Sequence, residues 1–202
     1  MREHSKLARK YDKQAKFFNR QPGNSRLRDW RQRLLKEASG NVLELAVGTG
    51  ANFPHYPAGV SVTAVDISSK MLQYAQENAE REQVESFFIL GNVEEMEFPE
   101  RTFDTIVSTL SFCAYEHPIS LFNQLGRWVK PDGKILLLEH GISSNLLLKQ
   151  IQKGLDPVNH RIVGCHLNRD MQELMDVSRL EVTHIESHMK GIIHLIWAVP
   201  EA

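Results

Sequence analysis

The 202-residue chain carries 24 Lys or Arg against 25 Asp or Glu, a formal net charge of −1, with 42% hydrophobic residues. That size accommodates one α/β domain with a full core and little more, and the composition excludes bulk disorder and a continuous cationic footprint for nucleic acid. The two cysteines, Cys113 and Cys165, stand too far apart for any local metal-ligand spacing or disulfide framework, so no metal and a reduced, cytoplasmic setting are expected.

In chain order, the first segment reads as a helix over Leu7–Phe18, ended by Gln21-Pro22-Gly23. A second helix follows a cap at Asn24 or Ser25, with Leu27, Trp30 and Leu34 at helical spacing. Residues 1–38 hold twelve Lys or Arg against four acids, whereas residues 77–104 hold nine acids against two Arg. The basic start is a solvated helix face or, in the sharper reading, a patch for peripheral contact with anionic lipid. It leads into no apolar core, so no secretory signal is expected, and no run is long enough to span a bilayer.

Asn41–Ala46 is a short buried strand leading into a glycine turn that opens towards a helix, and Ser61–Asp66 is the next strand. A helix starting at Ser68 turns Met71, Leu72, Ala75 and Ala79 to one side. Phe87–Leu90 and Phe103–Ser108 are further strands, and a helix over Pro118–Val129 faces Ile119, Phe122, Leu125 and Val129 inward. Lys130-Pro131-Asp132-Gly133 reads as a turn before the strand Ile135–Glu139. After a long segment with a helix near Asp170–Val177, Leu180–Glu186 and Ile192–Val199 form an antiparallel pair across a short link. The fold class is therefore α/β, a Rossmann-like doubly wound, mostly parallel sheet with an antiparallel strand at one end near the carboxyl terminus. The single domain divides into a helical cap over 1–40, a core over 41–140, a lid over 141–178 and a strand pair over 179–202. Ligands of such sheets bind beyond the carboxyl ends of the strands at the switch point.

The strongest local feature lies there. In Glu44-Leu45-Ala46-Val47-Gly48-Thr49-Gly50, the two glycines let the backbone turn tightly and approach a ligand. Asp66, eighteen residues after Gly48 at the end of the next strand, suits both hydroxyls of a ribose. A dinucleotide fold needs a third glycine three residues after the second to seat its diphosphate. Here that position is Phe53, followed by Pro54, which disfavours a nicotinamide oxidoreductase. S-adenosylmethionine carries ribose and no phosphate, and Glu44 suits a network holding its ammonium group.

Glu44 to Gly50, Asp66-Ile67-Ser68 with Met71-Leu72, Gly91-Asn92-Val93-Glu94, and Leu125 through Gly133 resemble the successive motifs of class I methyltransferases, in particular the ubiquinone/menaquinone-biosynthesis and phosphatidylethanolamine methyltransferase group. The resemblance covers roughly residues 10–140. It implies a seven-stranded sheet, with S-adenosyl-L-methionine held by Tyr11, Glu44, Ala46, Gly48, Gly50, Asn52, Asp66, Ile67, Met71, Gly91, Asn92, Val93 and Ser108, and the product S-adenosyl-L-homocysteine left behind. A narrower likeness, to microsomal methyltransferase-like proteins that methylate alkyl thiols, rests on several stretches: Gly48 to Phe53 with Tyr56-Pro57; Ser108-Thr109-Leu110 with Cys113; Glu139-His140; Leu155-Asp156-Pro157 with His160; and Gly164-Cys165. Those relatives carry an apolar amino-terminal anchor, and none is expected here. Ala46 stands where the loop's first glycine usually sits, and Asn92 where an aspartate usually meets the adenine amino group; asparagine both accepts and donates.

For a small-molecule acceptor the candidates follow the fourth and fifth strands. His140 is the first choice for a base or orienter, or else is hydrogen-bonded to a loop carbonyl, and His117 is the second. Thr109, Cys113, Asp156 and His160 are assigned to the acceptor side, Cys113 as a small pocket-lining residue. Asp156 and His160, four apart, form a structural pair or a polar pocket edge. Leu146, Leu147, Leu148, Ile151 and Leu155 are core, or an apolar lid favouring a greasy acceptor. Tyr11 closes over the cofactor or plugs a helix interface. A thiol acceptor needs no strong base, since its ordinary pKa is about 8.5. Membrane-associated methylation of a quinone precursor or phospholipid amine, and a non-catalytic S-adenosylmethionine-binding module, are the alternatives. The Asn/Asp-Pro-Pro-Tyr turn of nucleic-acid and protein amino-group methyltransferases is replaced by Ser108-Thr109-Leu110-Ser111.

Overall fold

The computed structural model describes residues 2–20 and 25–201. The expected break at Gln21-Pro22-Gly23 and a cap at Asn24 lie outside the described residues. The helices are α1 (Arg2–Arg20), α2 (Ser25–Leu35), α3 (Ser69–Glu82), α4 (Pro118–Trp128), α5 (Leu146–Ile162) and α6 (Met171–Asp176). The strands are β1 (Asn41–Leu45), β2 (Ser61–Asp66), β3 (Glu85–Leu90), β4 (Phe103–Thr109), β5 (Val129–His140), β6 (Leu180–His188) and β7 (Ile193–Pro200). They form one seven-stranded sheet in the order β3-β2-β1-β4-β5-β7-β6. β1 to β5 pair in parallel, and β7 runs antiparallel to both β5 and β6.

The alternation of side chains along the central strands builds two cores. Leu43, Ile106, Ile135 and Leu137 pack on one face with Phe122, Leu125 and Trp128 of α4. Val42, Val107, Leu136 and Leu138 pack on the other with Leu34 and Leu35 of α2 and Leu72, Ala75 and Ala79 of α3. Apolar cover on both faces is what a parallel sheet requires.

The expected mostly parallel sheet with an antiparallel strand near the carboxyl terminus is present, that strand being β7, which lies one place in from the rim. Ile193–Ala198 are all buried, too apolar for a rim, so β7 is inserted beside β5 and the more polar β6 takes the edge. Several expectations need correcting. Lys130–Gly133 is not a turn between elements but part of β5, where the register jumps from Phe103↔Val129 to Thr105↔Lys134, so that Asp104 alone stands opposite the four residues Lys130–Gly133 in an irregular bulge. Ile119 is 41% exposed, and Leu121 takes the inward position on α4. The segment after β5 opens with a long helix, α5, that continues through Pro157, and α6 follows where a helix near Asp170–Val177 is expected. The apolar residues of α5 are not core: Leu146, Leu147, Ile151 and Leu155 are all exposed. Beyond the glycine turn there is no long helix, only a single 3₁₀ turn over Phe53–His55.

That turn is fixed by Gly50, whose φ is +81°. A Cβ there would lie 2.5 Å from the ring of Phe53, which is only 1% exposed, and 3.3 Å from Ala75 Cα. At Gly48, φ +57°, nothing approaches closer than 4.0 Å. Gly50→Ala is therefore expected to lose about 2–4 kcal/mol, from backbone strain plus overpacking, and Gly48→Ala only the strain, about 1–2 kcal/mol. Urea denaturation of the two variants checks this, and equal losses would contradict it.

Candidate active site

A cleft of about 800 Å³ opens over the carboxyl ends of β1, β2 and β4, where strand order reverses and a ligand is expected. Its volume lies in the range of small-molecule and cofactor sites. Ala46 to Ala51 form its floor, Asp66, Ile67 and Met71 one wall, and Gly91 to Glu94 the far end; Thr109 to Ser111 and Ala114 to Glu116 face them, and α1 and α2 contribute Tyr11, Leu27 and Arg31 among others. Of the residues the sequence assigned to the cofactor, Tyr11, Ala46, Gly48, Gly50, Asp66, Ile67, Met71, Gly91, Asn92 and Val93 line it.

Asp66 is the organising side chain. Its Oδ2 accepts from the Gly48 amide and its Oδ1 from the Ser68 amide, both at 2.8 Å. The carboxylate is thus held rigidly at the cleft wall while each oxygen keeps a lone pair for a further donor. Burial raises its pKa to about 6 against the lowering effect of the Ser68, Gly48 and Ile67 amides. Ser68 also caps α3 by accepting from Met71 N, and its hydroxyl donates to Asp12 Oδ1 of α1 at 2.6 Å. This contact lays α1 across the cleft and brings Tyr11 to its mouth.

The backbone around the switch point is strained at two non-glycine positions, Ala46 (φ +46°) and Leu110 (φ +56°), at the ends of β1 and β4. Both line the cleft, the kind of place where such conformations are retained for function. Asn92 Oδ1 accepts from Glu94 N at 3.1 Å, so one role of this asparagine is to cap the 3₁₀ turn over Val93–Glu95.

Three of the residues assigned to the cofactor, Glu44, Asn52 and Ser108, are buried behind the lining. Glu44 is fully buried. It accepts from Asn52 Nδ2 and from the Tyr56 hydroxyl, both at 2.8 Å, and burial raises its pKa to about 7. Asn52 in turn accepts from Arg31 Nε at 3.0 Å, and Arg31 of α2 does line the cleft. The expected ammonium-binding carboxylate is therefore the root of a network whose exposed end is a guanidinium, suited to a carboxylate ligand. The sequence offered a clue, since Arg31 stands one helical turn after Leu27, and both face the cleft. Ser108 donates to Glu139 Oε1 at 2.7 Å, and Glu139 Oε2 accepts from the amides of Ser111 and Phe112. This second buried acid, its pKa also raised by burial to about 7, fixes the loop after β4.

On the acceptor side, Thr109 lines the cleft, and Cys113, His117, His140, Asp156 and His160 do not. The His117 ring is exposed; its amide donates to Glu94 Oε1 at 2.6 Å and its carbonyl accepts from Leu121 N at 3.0 Å. His140 turns Nε2 not to a loop carbonyl but to Cys165 Sγ, at 2.9 Å. The two cysteines, remote in sequence, are neighbours. A hydrogen bond from Cys113 lowers the Cys165 pKa to about 5, opposed by burial and helped by His140, while Cys113 is raised. Asp156 and His160 meet only through His166, whose Nδ1 lies 3.0 Å from Asp156 Oδ2 and whose ring stacks on His160 at 4.0 Å. Tyr115, Cys165 and His166 were not readable as site residues, because tertiary folding alone brings them here.

A family described as "Methyltransferase domain" matches residues 43–137. The chain is 30% identical over 145 residues to phosphatidylethanolamine N-methyltransferase of Cereibacter sphaeroides, covering 71% of each. It is 31% identical over 161 residues to thiol S-methyltransferase TMT1B of Rattus norvegicus, covering 75% of this chain and 64% of that protein. Among solved structures, the PH0226 protein from Pyrococcus horikoshii OT3 superposes with a TM-score of 0.70 at 22% identity, over 88% of this chain and 90% of that one. The chain spans 41% to 71% of the length of the first curated relatives it matches. With the sheet order, the glycine turn and the acidic residue ending β2 in place, the chain belongs to the class I S-adenosylmethionine-dependent methyltransferases.

Proposed function

We propose that the chain methylates the sulfur of a small apolar thiol. The observation that carries this reading is the wall of the cleft after β4. Thr109, Leu110, Ser111, Ala114, Tyr115 and Glu116 line it without a histidine; the nearby Glu94 is taken up by the amides of Glu116 and His117, which leaves the exposed Glu116 as the carboxylate of this wall, while His55 lines the cleft away from it. A wall poor in free bases suits an acceptor that ionises near neutral pH without help. The thiol S-methyltransferase relative supports the same class.

The residues of the cleft fit the cofactor. Gly48 leaves open space beside the backbone, the fixed Asp66 carboxylate suits a ribose diol, and Arg31 suits the methionyl carboxylate. The single 3₁₀ turn after Gly50 offers no helix amino end for a diphosphate. Bound there, S-adenosylmethionine supplies a methyl group already activated by its sulfonium. The chain's part is to align the acceptor and exclude water, tasks for Tyr11 and the loop Leu110–Glu116.

A second reading, action on a quinone precursor or phospholipid amine at a membrane surface, is favoured by one observation. Leu147, Ile151, Leu155, Val158 and Ile162 are all exposed and recur on one side of α5. Lys6, Arg9, Lys13 and Lys16 are exposed on α1, and Lys10 Nζ joins the two helices through the carbonyls of His160 and Arg161. Among the described residues no helix is long and apolar enough to cross a membrane, so this contact would be peripheral.

Two outcomes are expected. Because the ribose hydroxyls need an ionised acceptor, S-adenosylmethionine affinity should rise with pH through about 6 and then level off. Asp66→Asn should weaken binding at neutral pH at least about tenfold, roughly 1.4 kcal/mol, and abolish that pH dependence. Isothermal titration at several pH values reads both, and an unchanged variant would contradict the assignment. In an S-adenosylhomocysteine-release assay, apolar thiols should exceed quinols and aminolipids in kcat/KM by at least about tenfold. Turnover confined to aminolipids or quinols would reverse the order of the two readings.

A further inference from the structure

Three donor groups that line no part of the cleft converge from three separate stretches of chain: the loop after β4, the end of β5 and the loop after α5. The sulfurs of Cys113 and Cys165 and an imidazole nitrogen of His140 lie within 4.8 Å of one another. Among the described residues, no fourth His, Cys, Asp or Glu joins the group. Cys113 is 3% exposed, and His140 and Cys165 are half-buried.

The loops bearing these atoms are independently fixed. Glu139, the neighbour of His140, holds the amides of Ser111 and Phe112. The His166 amide donates to the Cys113 carbonyl at 3.0 Å, and Asn159 Nδ2 donates to the Cys165 carbonyl at 2.5 Å. Such outer contacts orient ligands in established metal centres. Two thiols and an imidazole are also the donor set of sites that bind zinc through three protein ligands and keep the fourth position open. In such a tetrahedral site, donors about 2.0–2.3 Å from the ion stand roughly 3.5 Å apart, within the spacing found here.

We propose that Cys113, His140 and Cys165 form an open binding site for a thiophilic divalent cation of the zinc class. Binding displaces the two thiol protons to solvent, with the imidazole neutral, and gives two metal–sulfur bonds and one metal–nitrogen bond. The fourth position then takes water or an exogenous thiol, which would deliver its own proton to solvent on coordination. Cys113 sits in the chain between Ser111 and Ala114, which both line the cleft, so a thiol taken from the cleft would be the exogenous ligand. Only this last step rests on the thiol reading; the metal site does not.

The chain has just two cysteines, so any thiolate–metal signal must come from this cluster. The test uses the reduced, untagged full chain. After loading with Zn²⁺ and gel filtration, about one equivalent should be retained, and Co²⁺ should give a sulfur-to-cobalt charge-transfer band. Cys165→Ser and His140→Asn should each weaken Zn²⁺ binding at least about 100-fold. Both positions are half-buried, so these variants stay informative if Cys113→Ser fails to fold. Addition of an alkyl thiol should shift the Co²⁺ spectrum. The metal site is overturned if the reduced wild type retains no metal or if the variants retain it equally, and the open position is overturned if the spectrum ignores the thiol. None of these readouts depends on S-adenosylmethionine binding or turnover, so failure here is separable from failure of the methyltransferase assignment.

Discussion

The site depends on one carboxylate held by two backbone amides. Asp66 ends β2, yet its oxygens accept from Gly48, in the loop after β1, and from Ser68, the cap of α3. This pair of bonds ties the glycine turn to the neighbouring strand and to the start of the helix that covers it. Through Ser68 and Asp12 it also reaches α1 and so positions the cover of the cleft. Burying an acid this way opposes its ionisation, a cost that a ligand presenting two hydroxyls offsets.

The same device recurs across the switch point. Glu44 at the end of β1 and Glu139 at the end of β5 are buried acids that do not themselves line the cleft, and each fixes groups that do. Glu44 organises Asn52 and through it Arg31; Glu139 organises the loop that begins with Ser111. Buried carboxylates with every oxygen hydrogen-bonded rigidify their surroundings. The left-handed Ala46 and Leu110 sit between these anchors, where strain is over-determined by neighbouring contacts.

Most of the fold was legible because its signals are local. Hydrophobic runs marked the strands, Ser68 capped its helix, and the spacing of Gly48 and Asp66 located the cleft. What was not legible depends on tertiary context. A hydrophobic run does not say which of the last two strands takes the sheet edge, and only the structure puts β6 there. Proline and glycine read as a turn at Lys130–Gly133, where the sheet absorbs them in a bulge. The apolar residues of α5 read as core or as a lid, and periodicity alone could not tell that Leu146, Leu147, Ile151 and Leu155 are exposed. Glu44 stood at the right strand end for a cofactor contact, yet its side chain points back into a polar network. Spacing arguments found no metal ligands because Cys113, His140 and Cys165 are brought together only by folding.

The most direct test of this account is a crystal structure of the full chain with S-adenosylhomocysteine. The account requires the ribose hydroxyls on the Asp66 carboxylate, the backbone of Gly48 against the ligand and the amino-acid carboxylate at Arg31. A ligand seated elsewhere, or one lying in the cleft without touching Asp66, would contradict it.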